Sequence, residues 1–252
     1  MNDLILHRGL IMTQPDINGG YIDCVYDVTT TSKPTKLLGF NVGQMSMIRS
    51  MEIDGVSIQP VSEYTFNKTG YPVVRFYINY IFSALNMFKD CVALVSIIFN
   101  TNTDINLNIS NIANGCTNLR NVEFKDNMKI KSLERSFYNC TSLDTIDLTN
   151  IGYNNLSYTF YGASAKNIIF GDIDSVSLLG TFFVLGNRET TIDLTKIKKI
   201  SGYSQPFAAA EQPKLIDFGE CDLSSCKITN NCLFDFRTAN SSAKTIMLGK
   251  PM

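Results

Sequence analysis

Four carboxylates recur in step with a period near 24 residues: Glu123, Asp147, Asp193 and Asp217, each between two large apolar residues. Apolar–polar–apolar alternation marks a strand with one buried face, so the four would align on the exposed side of a sheet. Such a row can contact a protein or a glycan. A hard divalent cation is a poorer fit, because it wants several oxygens converging on one point and a ribbon spreads them along a line. Neighbouring registers add Asn121 and Asn167, one residue before the strand centre, and Arg120 and Lys166, two before it. These eight residues form the candidate binding face. The plain alternative is a solvated surface, since like charges on adjacent strands repel by only a few tenths to ~1 kcal/mol.

Catalytic chemistry is thinly provided. The only histidine is His7, far from any Ser or Cys arrangement that could form a triad. No Gly-x-x-x-x-Gly-Lys-Ser/Thr phosphate loop occurs. Asp172 and Asp174 sit in a loop without the Asp-x-Asp-x-Asp-Gly pattern of a calcium site. Of seven cysteines, Cys221, Cys226 and Cys232 cluster without the short Cys-x-x-Cys knuckle of a structural zinc site. No catalytic residue, cofactor or metal is expected.

The carboxylates are positioned by a repeat. Taking the apolar residue before each outward position as anchor gives Ile97, Val122, Ile146, Ile168, Ile192, Ile216 and Ile246, spaced 25, 24, 22, 24, 24 and 30 residues apart. Two residues after each stands a second large apolar residue. Six before most stands a small one: Cys91, Cys116, Cys140, Gly186 and Ala210, with Ala163 fitting if the fourth repeat is one residue short. Three residues earlier stand Phe88, Phe137, Phe160, Phe183 and Phe207, with Ala113 the exception. A fixed period in this range means a solenoid, in which each coil buries its apolar edge against its neighbours. The Phe column would form an apolar spine and the small column a tight corner of reduced thiols acting as small hydrophobes.

The pattern Phe-x-x-Cys-x-x-Leu-x-x-Ile-x-Leu, plainest from Phe137 to Leu148, resembles the leucine-rich repeats of the BspA-like type over about Phe82 to Leu248. From the fourth repeat on, Cys gives way to Ala or Gly and the leucine before the anchor is lost. The resemblance implies an all-β, right-handed solenoid of about seven repeats of 22–30 residues. It also implies a non-enzymatic surface adhesin or interaction module, a type that occurs in bacteria and in the phages infecting them.

Residues 20–80 lack the period and alternate instead. Tyr21–Val28, Lys36–Val42, Ser46–Ile53 and Pro72–Ile78 read as strands, and Asp54-Gly55 as a hairpin turn. A small β-sandwich-like module is expected, capping the open end of a solenoid over residues 81–252. Residues 1–19 read as an attachment arm with apolar Leu4, Ile5, Leu6, Leu10 and Ile11.

A hydrophobic share of 44%, a charged share of 18% and a net charge of −1 describe a globular chain without electrostatic pull toward nucleic acid or anionic membrane. No apolar run is long enough for membrane insertion. The N-terminus is a poor export signal, since His7 and Arg8 break its apolar stretch. The expectation is therefore a virion component, associated with a phage head, tail or fibre, that attaches through arm and cap. Its partners would be other virion or surface proteins, or a host glycan or receptor, in a homo-oligomer or larger assembly. The alternative is a bacterial cell-surface adhesin whose signal has been removed.

Overall fold

The computed structural model describes residues 20–39, 42–79, 83–101, 107–125, 128–149, 151–165, 167–177, 183–184, 191–201, 215–222 and 246–247. The expected arm, with Leu4, Ile5, Leu6, Leu10 and Ile11, lies outside them, as does Lys166. The N-terminal part consists of β1 (Gly20–Tyr26), β2 (Thr35–Lys36), β3 (Ile48–Ile53), β4 (Val56–Ile58), β5 (Glu63–Tyr64) and β6 (Val73–Ile78). The repeats supply β7 (Leu94–Thr101), β8 (Leu107–Asn108), β9 (Asn121–Phe124), β10 (Met128–Ser132), β11 (Thr145–Leu148), β12 (Ile151–Gly152) and β13 (Phe160–Tyr161). They continue with β14 (Asn167–Phe170), β15 (Val176–Ser177), β16 (Phe183–Val184), β17 (Thr191–Asp193), β18 (Ile200–Ser201), β19 (Leu215–Asp217) and β20 (Ile246–Met247).

One sheet of eleven strands unites both parts, in the order β4-β3-β6-β1-β7-β9-β11-β14-β17-β19-β20. From β7 onward the pairing is parallel, and the seven predicted anchors are register partners: Ile97 with Val122, Val122 with Ile146, then Ile168, Ile192, Ile216 and Ile246. From β7 toward β4 the pairing is antiparallel. The N-terminal module thus continues the solenoid sheet, and among the described residues its second layer is the short β2–β5 ladder with the buried Leu37, Leu38 and Phe66. Tyr26, buried on β1, donates its hydroxyl to Leu37 O at 2.6 Å. The expected strand over Lys36–Val42 is only Thr35–Lys36, followed by a 3-10 turn at Val42–Met47. Asp54 and Gly55 turn β3 into β4 with φ of 48° and 82°, both left-handed as a tight hairpin with right-handed strand twist requires.

Away from the main sheet, β8, β10 and β12 form a second parallel ladder, and β13–β16 and β15–β18 form two more. The turns between ladders also stack. Phe88 N donates to Ile112 O, Ala113 N to Ser136 O, and Phe137 N to Thr159 O. Two left-handed residues per coil shape each turn: Asn86, Asn111, Arg135 and Tyr158 in one column, Asp90, Gly115, Asn139 and Gly162 in the other. The second column immediately precedes the small-residue corner.

The predicted inward columns are buried through the fourth repeat; Gly186, Phe207 and Ala210, and the side chain of Phe183, lie outside what the structure describes. Phe88, Phe137 and Phe160 are fully enclosed, as are Cys91, Cys116 and Cys140. The spine is not continuous, because Ala113 interrupts it. Phe137 stacks on Phe160, while Phe88 meets Phe76 of the N-terminal module. The corner thiols do more than fill space. Cys116 Sγ donates to Phe88 O at 2.9 Å and Cys140 Sγ to Ala113 O at 3.2 Å, each reaching one coil back. Ser136 and Thr159 hydroxyls make the equivalent link to Ile109 O and Leu133 O. Each of these four carbonyls also accepts the backbone N–H three residues on, so the side chain adds a second hydrogen bond that ties one coil to the next.

Burial pushes the Cys116 thiol up to about 12 and holds Cys24, Cys91 and Cys140 well above the ordinary thiol value. Burial likewise raises the Tyr26 and Tyr153 hydroxyls. All these groups are held neutral in the fold, so above the free thiol's value of 9.0 the unfolded chain releases protons that the folded chain keeps. The contribution of these groups should be level between about pH 6 and 8 and fall steadily as the pH climbs from about 9 toward 12. Denaturant midpoints measured across that range test this; a level profile to pH 11 would mean the thiols are not enclosed.

Candidate functional site

The exposed side of the main sheet carries every described residue of the candidate binding face. Asn121 and Glu123 are half-buried on β9, Asp147 is exposed on β11, Asn167 on β14 and Asp193 on β17, while Asp217 is half-buried on β19. Arg120 lies exposed just before β9. Ile169, 44% exposed, interrupts the acidic column between Asp147 and Asp193, each of which it partners in register.

The carboxylates are not idle charges on a ribbon. Asp147 Oδ1 accepts from Thr149 N at 2.9 Å, Asp193 Oδ1 from Thr195 N at 3.0 Å and Thr195 Oγ1 at 2.6 Å, and Asp217 Oδ1 from Gly219 N at 2.9 Å. Each aspartate therefore turns the chain out of its own strand, the usual local use of an aspartate two residues before a free N–H. Glu123, a methylene longer, pairs with Lys125 instead. One carboxylate oxygen of each aspartate is spent on its turn. The row can still present its second oxygens, but its spacing is set by turn geometry. No group of three or more His, Cys, Asp or Glu placed to hold a metal ion occurs among the described residues.

Sequence reading missed a denser polar cluster on the same face, nearer the N-terminus. Arg75 on β6 clamps Asp23 on β1 through Nε at 2.7 Å and Nη2 at 2.9 Å. The Arg75 guanidinium also lies 4.0 Å from the Tyr21 ring centre, and its hydrogen bonds to Asp23 raise its already high pKa further. Beside it, Tyr77 donates its hydroxyl to Glu52 Oε1 at 3.1 Å on β3. Tyr21, Asp23, Glu52 and Arg75 line a groove of about 1280 Å³ that runs from β4 across β6, β1 and β7 to Asn121, Glu123 and Lys125. Half-burial makes the Arg75–Asp23 pair costly to break singly, because either survivor would be a poorly hydrated charge. The signal in the sequence was the outward alternation of Tyr21 and Asp23 on one strand and Arg75 and Tyr77 on another. Nothing local joins those strands.

Among the described residues no helix is long and apolar enough to cross a membrane. A family model described as BspA type leucine rich repeat region matches in six copies, over residues 43–164 and 115–209. The match begins ahead of Phe82, in a stretch whose strands β3, β4 and β6 pair antiparallel. No curated protein and no solved structure matches the chain.

Proposed function

Because this chain belongs to the BspA-type leucine-rich repeat family, whose repeat regions are protein-interaction or adhesion modules, we propose that it is a non-enzymatic structural and interaction protein of a virion. In this reading the N-terminal module and arm attach it to a phage head, tail or fibre, and the sheet face meets a protein or glycan. One observation carries the reading: a single sheet presents equivalent outward residues coil after coil, in register from Ile97 to Ile246. Such a face suits weak, repeated contacts that gain strength by multiplicity. Family membership itself favours the alternative, adhesion at a bacterial cell surface. Mass spectrometry of gradient-purified particles and of cell envelopes separates the two. The chain should co-purify with particles; recovery from envelopes alone would replace this reading with the adhesin.

The face itself is tested by removing charge without breaking the turns. Asn keeps the side-chain carbonyl oxygen that the aspartate turns use. Asp147→Asn with Asp193→Asn should therefore leave stability within about 0.5 kcal/mol. Binding to the purified particle or envelope fraction should weaken by roughly tenfold. Unchanged binding would remove the acidic column from the interface.

A further inference from the structure

We propose that the groove over β3, β6, β1 and β7 is a binding site for a neutral oligosaccharide. The inference rests on the reading of the chain as an interaction protein but places recognition N-terminal to the aspartates, overlapping the candidate binding face only at Asn121 and Glu123.

Three features select this ligand. The first is exposed apolar surface concentrated in one concavity. Of five large apolar side chains that stand markedly exposed among the described residues, Val56 at 66%, Tyr71 at 64% and Val73 at 37% all line this groove. Water-exposed aromatic and aliphatic surface gathered in a hollow is what the apolar face of a sugar ring can cover.

The second is charge already spent. Each cation lining the groove has an acid beside it: Arg75 with Asp23, Lys68 with Asp54, and Lys125 with Glu123. A phosphate, sulfate or uronate would have to displace one of these carboxylates. Hydroxyl groups, which donate and accept, fit the mixed set of Arg75, Glu52, Asn100 and Asn121 without displacing anything.

The third is the floor. It is the face of a paired sheet, where backbone N–H and C=O groups of β3, β6, β1 and β7 are committed to their ladders. An extended peptide could add a strand only at β4, the near edge of the sheet, and not over β3, β6, β1 and β7. Recognition has to run through side chains. The volume, above that usual for a single small ligand, suits a short chain of sugars.

The test uses the full chain, with saturation-transfer NMR and calorimetry against hexamers of glucose, galactose, mannose and N-acetylglucosamine, plus a sulfated hexamer. At least one neutral hexamer should bind. Tyr71→Ala and Asn100→Ala should each weaken it by about tenfold, as loss of a contact at a binding centre does. Lys129→Ala, exposed on β10 outside the groove, should leave it unchanged. Because Tyr71 is exposed, its truncation should leave the circular dichroism and unfolding midpoint intact. Binding of none of the neutral hexamers, binding of the sulfated one alone, or binding indifferent to both alanine variants would each overturn the proposal. Co-purification with particles or envelopes reads the broader function separately, so either idea can fail while the other stands.

Discussion

Truncating Phe137 to alanine should cost about 3–5 kcal/mol in a denaturant titration, the range for removing a fully enclosed phenyl ring. The ring has no exposed surface and stacks on Phe160, with centroids 5.7 Å apart and planes 17° from parallel. Its equivalent in the preceding coil is Ala113, also enclosed. The space left by Phe137 would therefore border a small residue that cannot swing in to fill it, and the surrounding ladders hold the backbone apart. The turn is fixed from both sides, since Phe137 N donates to Thr159 O and Ala113 N to Ser136 O. Because each coil touches only its neighbours, the damage should be local. Hydrogen exchange at Phe137 and Ala113 should accelerate more than at Ile97. Tyr138 offers the control. It stacks on Tyr161 at 4.7 Å but is only half-buried, so Tyr138→Ala should cost clearly less. Equal losses at the two positions, or a loss at Phe137 below about 1 kcal/mol, would mean the Phe column is not the core.

Gly39→Ala should destabilise by about 1–3 kcal/mol, although it adds one methyl group. A Cβ on Gly39 would stand 2.5 Å from Lys89 O, 2.6 Å from Asn86 O and 2.6 Å from Lys89 N. All three are backbone atoms, so no rotamer change relieves the overlap. They are also committed: Lys89 N donates to Asn86 O, Asn86 N to Ser110 O, and Gly39 N itself to Met87 O at 2.7 Å. This is where the chain after β2 docks on the first coil's turn, next to buried Leu37, Leu38 and Met87. The methyl would pry module and solenoid apart at that seam. Gly70→Ala is the comparison. A Cβ there meets nothing within 4 Å, so its cost is backbone strain alone, from a φ of 128°. If Gly39→Ala unfolds at the wild-type midpoint, the close approach does not exist in solution.

The repeat could be read from the chain because its information is local and periodic. Each anchor, outward residue and corner residue lies within about a dozen positions of the others, and the period repeats their relation. Parallel stacking then places equivalent residues one strand apart whatever the details. The left-handed column of Asp90, Gly115, Asn139 and Gly162 was equally visible, as Asp, Asn or Gly just before each Cys or Ala. Asp147 and Asp193 each stand two residues before Thr, and Asp217 two before Gly, a spacing that permits an aspartate turn without requiring it.

The sequence by itself determined the all-β class, the seven-anchor register and the inward and outward sides of β7, β9, β11 and β14, because a two-residue alternation inside a 24-residue period leaves one way to stack; the smaller ladders from β8 to β18 are mostly two-residue strands, too short to carry that alternation. Tertiary structure alone decided what the face is made of. That β1 lies between β6 and β7, bringing Asp23 to Arg75 across 52 residues and Gly39 onto the first turn, depends on non-local pairing of short strands whose alternation fits several neighbours equally well. It also decided that the aspartates spend an oxygen on their own turns. The chain spells out the row of acids, but whether a carboxylate faces a partner or its own backbone is a matter of a rotamer, and rotamers are fixed only once the coils are packed.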